Sequence, residues 1–142
     1  HIEGFDAFDF FPGESVVMPT NKEMVIDFPL ATKEQPTQCL ALGIDAFKIE
    51  EVVEKFNHNV AIENENNNWD IDQNASHLIN NVDVNHLIER LTHTFTNSNK
   101  SKDVLLDLMI QELIVRLLQT KAKSLIINDT HVFNDTRICT VI

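Results

Sequence analysis

The sequence predicts an α+β domain in which antiparallel strands come first and a layer of α-helices follows. Within residues 1–44, short apolar runs are separated by turn signals such as Pro12-Gly13 and Pro19-Thr20-Asn21, a pattern typical of an antiparallel sandwich or barrel. From Asp45 onward, apolar residues recur at the spacings of three, four and seven that mark helices. A chain of 142 residues with 43% hydrophobic content can build one such domain around its own core.

The β part is expected to contain an irregular aromatic strand near residues 5–11 and strands at residues 15–18, 24–28 and 37–44. Three or four strands are too few to close a barrel. Either partners complete the sheet or further strands lie upstream of His1. We favour the second and therefore expect a partial barrel or sandwich. Residues 60–62 are a possible short strand, and residues 76–79 are expected to form a short helical turn.

Two amphipathic helices are predicted next. The first begins at the cap residue Asp45, runs to about Phe56, and places Ile49, Val52 and Val53 on one apolar face. The second covers residues 83–97 and has a single apolar stripe, whose members are Val84, Leu87, Ile88, Leu91 and Phe95.

The longest predicted helix covers residues 101–123, with Ser101 as its N-cap, and it carries two apolar stripes instead of one. The first stripe contains Leu106, Met109, Ile110, Leu113 and Leu117. The second lies nearly opposite and contains Val104, Leu108, Val115 and Ala122, with Glu112 and Arg116 four residues apart beside it. Either the chain itself covers both stripes, or a second protomer covers one. The short connection at residues 97–100 predicts that this helix packs antiparallel to the preceding one.

The charge, the hydropathy and the cysteine content of the chain argue against several functions. A formal net charge of −11 repels phosphate backbones, so this segment should not bind nucleic acid by itself. No apolar run approaches the 18 residues of a membrane span. Two cysteines 100 residues apart, Cys39 and Cys139, are expected to be unpaired thiols in a reducing compartment. These features predict a cytoplasmic protein.

Catalytic and metal-binding motifs are not recognisable. Residues His86 and His93 lie seven apart, about two helical turns or roughly 10.5 Å along the axis, too far to share one zinc ion. The sequence has no GxSxG motif and no Gly-rich phosphate loop. We therefore predict no enzyme activity, no metal and no cofactor.

Three stretches, PGESVVMPTNKEMVIDFP, QPTQCLALGIDAFKIEEVVEKFN and DVLLDLMIQELIVRLLQTKAK, resemble the N-terminal regulatory domain of AraC-family transcription regulators. The resemblance implies a cupin-like β-barrel that holds a small effector, followed by helices that form an antiparallel dimer contact. It also implies a helix-turn-helix DNA-binding domain further along the chain. Residues 1–123 would then be the regulatory and dimerisation domain. Residues 124–142 would be the linker and the start of that DNA-binding domain, with TRICTVI at the beginning of its first helix.

On this interpretation the chain is the regulatory, dimerising half of a bacterial transcription regulator, and it sets the spacing of attached DNA-binding domains. Candidate effector-pocket residues are Phe10, Val17, Met24, Ile26, Asp27 and Leu40, where Asp27 faces either outward or into the pocket. Candidate dimer residues are Val104, Leu108, Glu112, Val115 and Arg116. One alternative is an interaction module with a different protein partner. A cupin-type enzyme is less favoured, because residues 15–44 contain no His for a metal site.

Overall fold

The computed structural model describes residues 2, 6–9, 11–56, 76–119 and 135–142. In chain order the elements are β1 (Glu14–Pro19), β2 (Cys39–Ile44), α1 (Ala46–Phe56), β3 (Ser76–Ile79), α2 (Val82–Thr96), α3 (Lys102–Leu118) and β4 (Thr136–Val141).

The four strands form one antiparallel sheet in the order β2-β4-β1-β3. The last strand in sequence therefore lies between β2 and β1, where Leu42 pairs with Ile138 and Val17 pairs with Ile138 from the other side. The predicted α+β class with an antiparallel sheet and a helical layer is confirmed. The described strands form an open sheet and do not close into a barrel, in agreement with the expected partial barrel.

Strand alternation divides the sheet into two buried faces. One face, which includes Val17, Leu42 and Ile138, packs against all three helices and forms the main core. On the opposite face, Val16 and Met18 pack with Ile2 from the N-terminal segment, and half-buried Phe8 and Met24 complete this smaller cluster. Strand β1 is thus covered on both sides, which explains why it is buried at four consecutive positions.

Helices α2 and α3 form the predicted antiparallel pair. Asp83 near the start of α2 contacts Arg116 near the end of α3, and Thr94 near the end of α2 contacts Met109 earlier in α3. Helix α1 begins where expected, because the Asp45 carboxylate accepts a hydrogen bond of 2.8 Å from the backbone N–H of Lys48. Lys48 also forms an ion pair with Asp107, which ties α1 to α3.

Three sequence expectations in the β region are wrong. Residues 6–9 and 11, which were expected in an irregular aromatic strand, are not part of any strand. Residues 24–28 form only an isolated bridge between Met24 and Ile2, because no described strand lies alongside them. Residues 76–79 form strand β3, which pairs with β1, and not a helical turn. A segment of four residues has too little periodicity to favour either structure, so pairing with a neighbouring strand decides.

The start of a helix expected at TRICTVI is also wrong, because Thr136–Val141 forms strand β4. The β-branched side chains of Thr136, Ile138 and Val141 favour a strand, and pairing on both sides satisfies the backbone. Strand β4 shares one sheet with the strands of the predicted regulatory domain. The boundary at residue 123 and a helix-turn-helix domain beyond this chain stay predictions.

Smaller differences concern single positions. Phe95 was expected in the buried stripe of α2 but is 41% exposed, and Thr94 takes its place in the core. The predictions made for residues 5, 10, 60–62 and 120–123 lie outside the described residues.

Candidate functional site

A cavity of about 460 Å³ lies between the helix-facing side of the sheet and the pair α2 and α3. Pockets for small molecules usually measure about 300–1,000 Å³. The cavity is therefore large enough to hold a compact organic molecule, and it is the candidate functional site.

The cavity has an apolar interior and a polar end. The sheet contributes Leu40, Leu42, Ile138, Ser15 and Thr140. The helices contribute Val84, Ile88, Leu113 and Leu117. The edge strand β3 and the turn after it contribute His77, Ile79, Asn80 and Asn81. All of these except Asn80 are exposed, and they mark the open side.

Three polar side chains meet at the polar end. The Ser15 hydroxyl donates a hydrogen bond of 2.7 Å to Oδ1 of Asn80. The Thr140 hydroxyl donates one of 2.7 Å to the backbone carbonyl of Glu14. The side-chain nitrogen of Asn80 is buried and has no hydrogen-bond partner among the described residues. An unsatisfied buried amide is costly and calls for an explanation, such as a ligand that accepts its hydrogen bond.

The turn before β1 holds Asn80 in place. The backbone N–H of Asn80 donates a hydrogen bond of 2.9 Å to the carbonyl of Gly13. Gly13 has a φ of 84°, a left-handed conformation that is readily available only to glycine. The Pro12-Gly13 turn found in the sequence therefore fixes one side of the polar end.

The described cavity wall contains no carboxylate, no lysine and no arginine. His77 contributes to the wall, but it pairs in register with Val16, on the face of the sheet opposite the helices. There its Nε2 lies 2.8 Å from a carboxylate oxygen of Glu14, and its ring lies 4.8 Å from that of Phe8. The backbone N–H of Phe11, followed by His77, lowers the pKa of Glu14. His77 is thus the one titratable side chain of the described wall, and its ring nitrogen is bonded to Glu14 on the face opposite the helices.

The described members of the predicted pocket set lie at different places in the fold. Leu40 lines the cavity, and Val17 lies in the core on the same face of the sheet. Met24 packs on the opposite face. Ile26 is half-buried and Asp27 is exposed, in the segment that follows the bridge at Met24. Phe10 lies outside the described residues.

Sequence reasoning missed the polar end entirely. Asn80 and Ser15 are 65 residues apart, and Thr140 joins them only because β4 pairs with β1. The only local signal was the Asn80-Asn81 pair before a helix, which indicates a cap and does not by itself indicate a pocket.

The N-terminal half of α3 presents an exposed apolar face. Val104 is 63% exposed and Leu108 is 57% exposed, whereas half-buried Val115 packs against the core. Glu112 bonds Arg90 on α2 at 2.8 Å and Arg116 on its own helix at 3.0 Å. Of the five predicted dimer residues, the two charged ones are thus engaged within the protomer, and the exposed apolar ones are Val104 and Leu108.

The two cysteines are both free thiols. Burial raises the pKa of Cys139 to about 11, so its thiol is protonated at neutral pH and is a poor nucleophile. Across the described ranges, no group of three His, Cys, Asp or Glu residues could hold a metal ion. In the same part of the chain, no helix is long and apolar enough to cross a membrane.

Comparison with known proteins gives one match. The family model described as the AraC-type transcriptional regulator N-terminus matches residues 2–125. No curated protein and no solved structure matches the chain significantly.

Proposed function

Since the chain belongs to the AraC-type transcriptional regulator N-terminal family, we propose that it is the effector-sensing and dimerising half of a bacterial, cytoplasmic regulator. It acts as a regulatory domain and not as an enzyme. Its net charge of −11 disfavours direct contact with DNA. Contact with DNA is therefore assigned to a helix-turn-helix domain beyond this chain.

The observation that carries this proposal is that one half of α3 lines the cavity and the other half exposes an apolar face. Leu113 and Leu117, in the C-terminal half of the helix, line the cavity. Val104 and Leu108, in the N-terminal half, form the exposed apolar face. A single continuous helix therefore connects a candidate ligand site to a candidate protein interface.

The proposed mechanism is a population shift. A molecule in the cavity contacts the sheet on one side and α3 on the other, so it favours one arrangement of the helix against the sheet. This arrangement changes how two protomers meet through α3, and thereby the spacing of the attached DNA-binding domains. Coupling between such sites is typically worth about 1–3 kcal/mol.

The proposed dimer contact is centred on Val104 and Leu108. Apolar side chains at the centre of an interface supply most of its stabilisation when a partner excludes water from them. Val115 lies on the same stripe but is half-buried against the core, so it contributes at the margin of the contact. Glu112 and Arg116 keep their partners within the protomer and act at the rim.

Light scattering of the purified chain over a range of concentrations tests the proposal. We expect a mass near twice 16.2 kDa. The double variant Val104→Glu with Leu108→Glu should return the mass to that of one chain, because two carboxylates would face an apolar contact. The matched control is Phe47→Glu on α1, which also replaces an exposed apolar residue and should leave the dimer intact.

A wild-type chain that stays monomeric at every concentration would contradict self-association. It would favour the alternative of an interaction module whose exposed α3 face binds a different protein. A dimer that survives the double variant unchanged would place the contact elsewhere on the surface.

A further inference from the structure

The cavity between the sheet and the helix pair differs in its chemistry from a site for a sugar or an acid. Its interior is formed by branched aliphatic side chains, including Leu42, Ile88 and Ile138. A polyhydroxylated ligand would lose its hydrogen bonds to water there without replacing most of them. The interior therefore favours a molecule with an apolar body.

The described wall of the cavity also contains no lysine or arginine, and its histidine, His77, is already bonded to Glu14. A buried carboxylate or phosphate is strongly disfavoured unless a positive group pairs with it. The net charge of −11 adds a long-range repulsion against anions. A buried ammonium group would be equally isolated, because no described acidic side chain lines the cavity. Both arguments favour an uncharged ligand.

The polar end determines what kind of head group fits. The Asn80 amide nitrogen is a buried donor that lacks an acceptor among the described residues. The hydroxyls of Ser15 and Thr140 already use their hydrogens, to Asn80 and to the Glu14 carbonyl respectively. Each hydroxyl oxygen therefore offers a lone pair to a donor. A carboxamide or a hydroxyl group, which both accepts and donates, matches this arrangement.

From these features we infer that the cavity binds a neutral amphiphile, with an aliphatic body among the core side chains and one uncharged carboxamide or hydroxyl head at Asn80. This inference rests on the proposed function for its regulatory meaning, because it names the class of effector that the regulator senses. It does not depend on dimerisation for the binding itself.

The test is calorimetric titration of the full chain with three probes, namely octanamide, octanoate and glucose. Octanamide and octanoate share an aliphatic body and differ in the charge of the head group, whereas glucose is neutral without an apolar body. We expect octanamide to bind at least tenfold more tightly than the other two. Equal affinity for octanoate, or a preference for glucose, would overturn the inference, and so would the absence of binding by all three.

Two substitutions and one matched control locate the binding site. Val84→Phe places a larger side chain in the cavity and should abolish octanamide binding, whereas Val82→Phe on the exposed side of the same helix should leave it unchanged. Asn80→Leu removes the unpaired donor and should weaken binding about tenfold, the effect of one hydrogen bond to a buried group. If Asn80→Leu fails to fold, the comparison of Val84→Phe with Val82→Phe still decides whether octanamide binds in the cavity. Unchanged binding by Val84→Phe would overturn the assignment.

Light scattering with and without octanamide separates this inference from the proposed function. Binding of octanamide by a chain that is dimeric supports both. Binding without any change in mass, in a chain that is monomeric throughout, supports the ligand class and contradicts the dimerising regulator. A dimer that binds none of the probes contradicts the ligand class alone.

Discussion

At the scale of single residues, the pair Lys48–Asp107 is the clearest link between α1 and α3. Lys48 bonds Asp107 and lies 3.5 Å from Glu51 on its own helix. The hydrogen bond from Lys48, followed by that from Gln111, lowers the pKa of Asp107. A carboxylate whose pKa is lowered by folding stabilises the fold in its ionised form.

This pair predicts a pH-dependent effect of the substitution Asp107→Asn. The ionised carboxylate should contribute fully well above pH 3.8, its usual pKa, and its contribution should shrink as the pH falls through the lower pKa of the folded state. Because both side chains are partly exposed, we expect a loss of up to about 1 kcal/mol at pH 7. Urea unfolding of the wild type and the variant at pH 7 and pH 3 measures the difference.

Glu51→Gln is the matched control, because it removes the second and more exposed carboxylate near the same lysine. Its effect on the free energy of unfolding should be close to zero at both pH values. An Asp107→Asn loss that is the same at pH 3 and pH 7 would show that the charge of Asp107 is not what stabilises α3 against α1.

At the scale of elements, the two helices of the antiparallel pair begin differently. Asn81 caps α2, and its side-chain oxygen accepts a hydrogen bond of 2.8 Å from the backbone N–H of Val84. Ser101 occupies the same position before α3, but its side chain makes no capping hydrogen bond. The two N-cap residues, Asn81 and Ser101, are therefore expected to contribute differently to the stability of the protein.

This difference predicts unequal costs for two alanine substitutions. Asn81→Ala should lower the free energy of unfolding by about 1 kcal/mol, the usual value of a side-chain cap. Ser101→Ala should change it by less than about 0.5 kcal/mol, as at an ordinary surface position. Denaturant titration of both variants compares them directly. Equal losses would contradict the capping geometry.

The helices could be predicted from sequence because each has a long apolar period and a local start signal. The stripe of α3 from Leu106 to Leu117 packs against the core as its spacing indicates. The short strands were harder, because a strand of four to six residues depends on partners that are distant in sequence. Strand β3 pairs with β1 across about sixty residues, and β4 pairs with both β1 and β2 across more than ninety. No local pattern specifies such pairings.

At the scale of the whole molecule, the candidate site is a product of these long-range pairings. Among the described residues, Leu40 is the one predicted pocket residue that lines the cavity, and it was predicted as an apolar strand position without knowledge of which face it occupies. Asn80 follows β3 and Thr140 lies in β4, two segments that were expected to be helical. An error in the element type therefore concealed the polar end of the site, although the class of fold was correct.

Strand β4 also determines whether the described parts of the chain form one cooperative unit. It is the only described strand that pairs with β2, and it separates β2 from β1. Asp135, directly before β4, accepts a hydrogen bond of 2.6 Å from the backbone N–H of Ala46 at the start of α1. The end of the described chain is thus bonded to both the sheet and the first helix, and it should unfold together with them.

Two matched substitutions in this final segment test that conclusion. Ile138 is buried against the helices, whereas Ile142 is 41% exposed. Ile138→Ala should lower the free energy of unfolding by about 2–5 kcal/mol, because it leaves a cavity in the main core. Ile142→Ala should cost less than about 0.5 kcal/mol. If urea unfolding finds both variants as stable as the wild type, residues 136–141 do not belong to the cooperative core. These residues could then be part of a following domain. The remaining sheet would have to be stable without β4, the strand between β2 and β1.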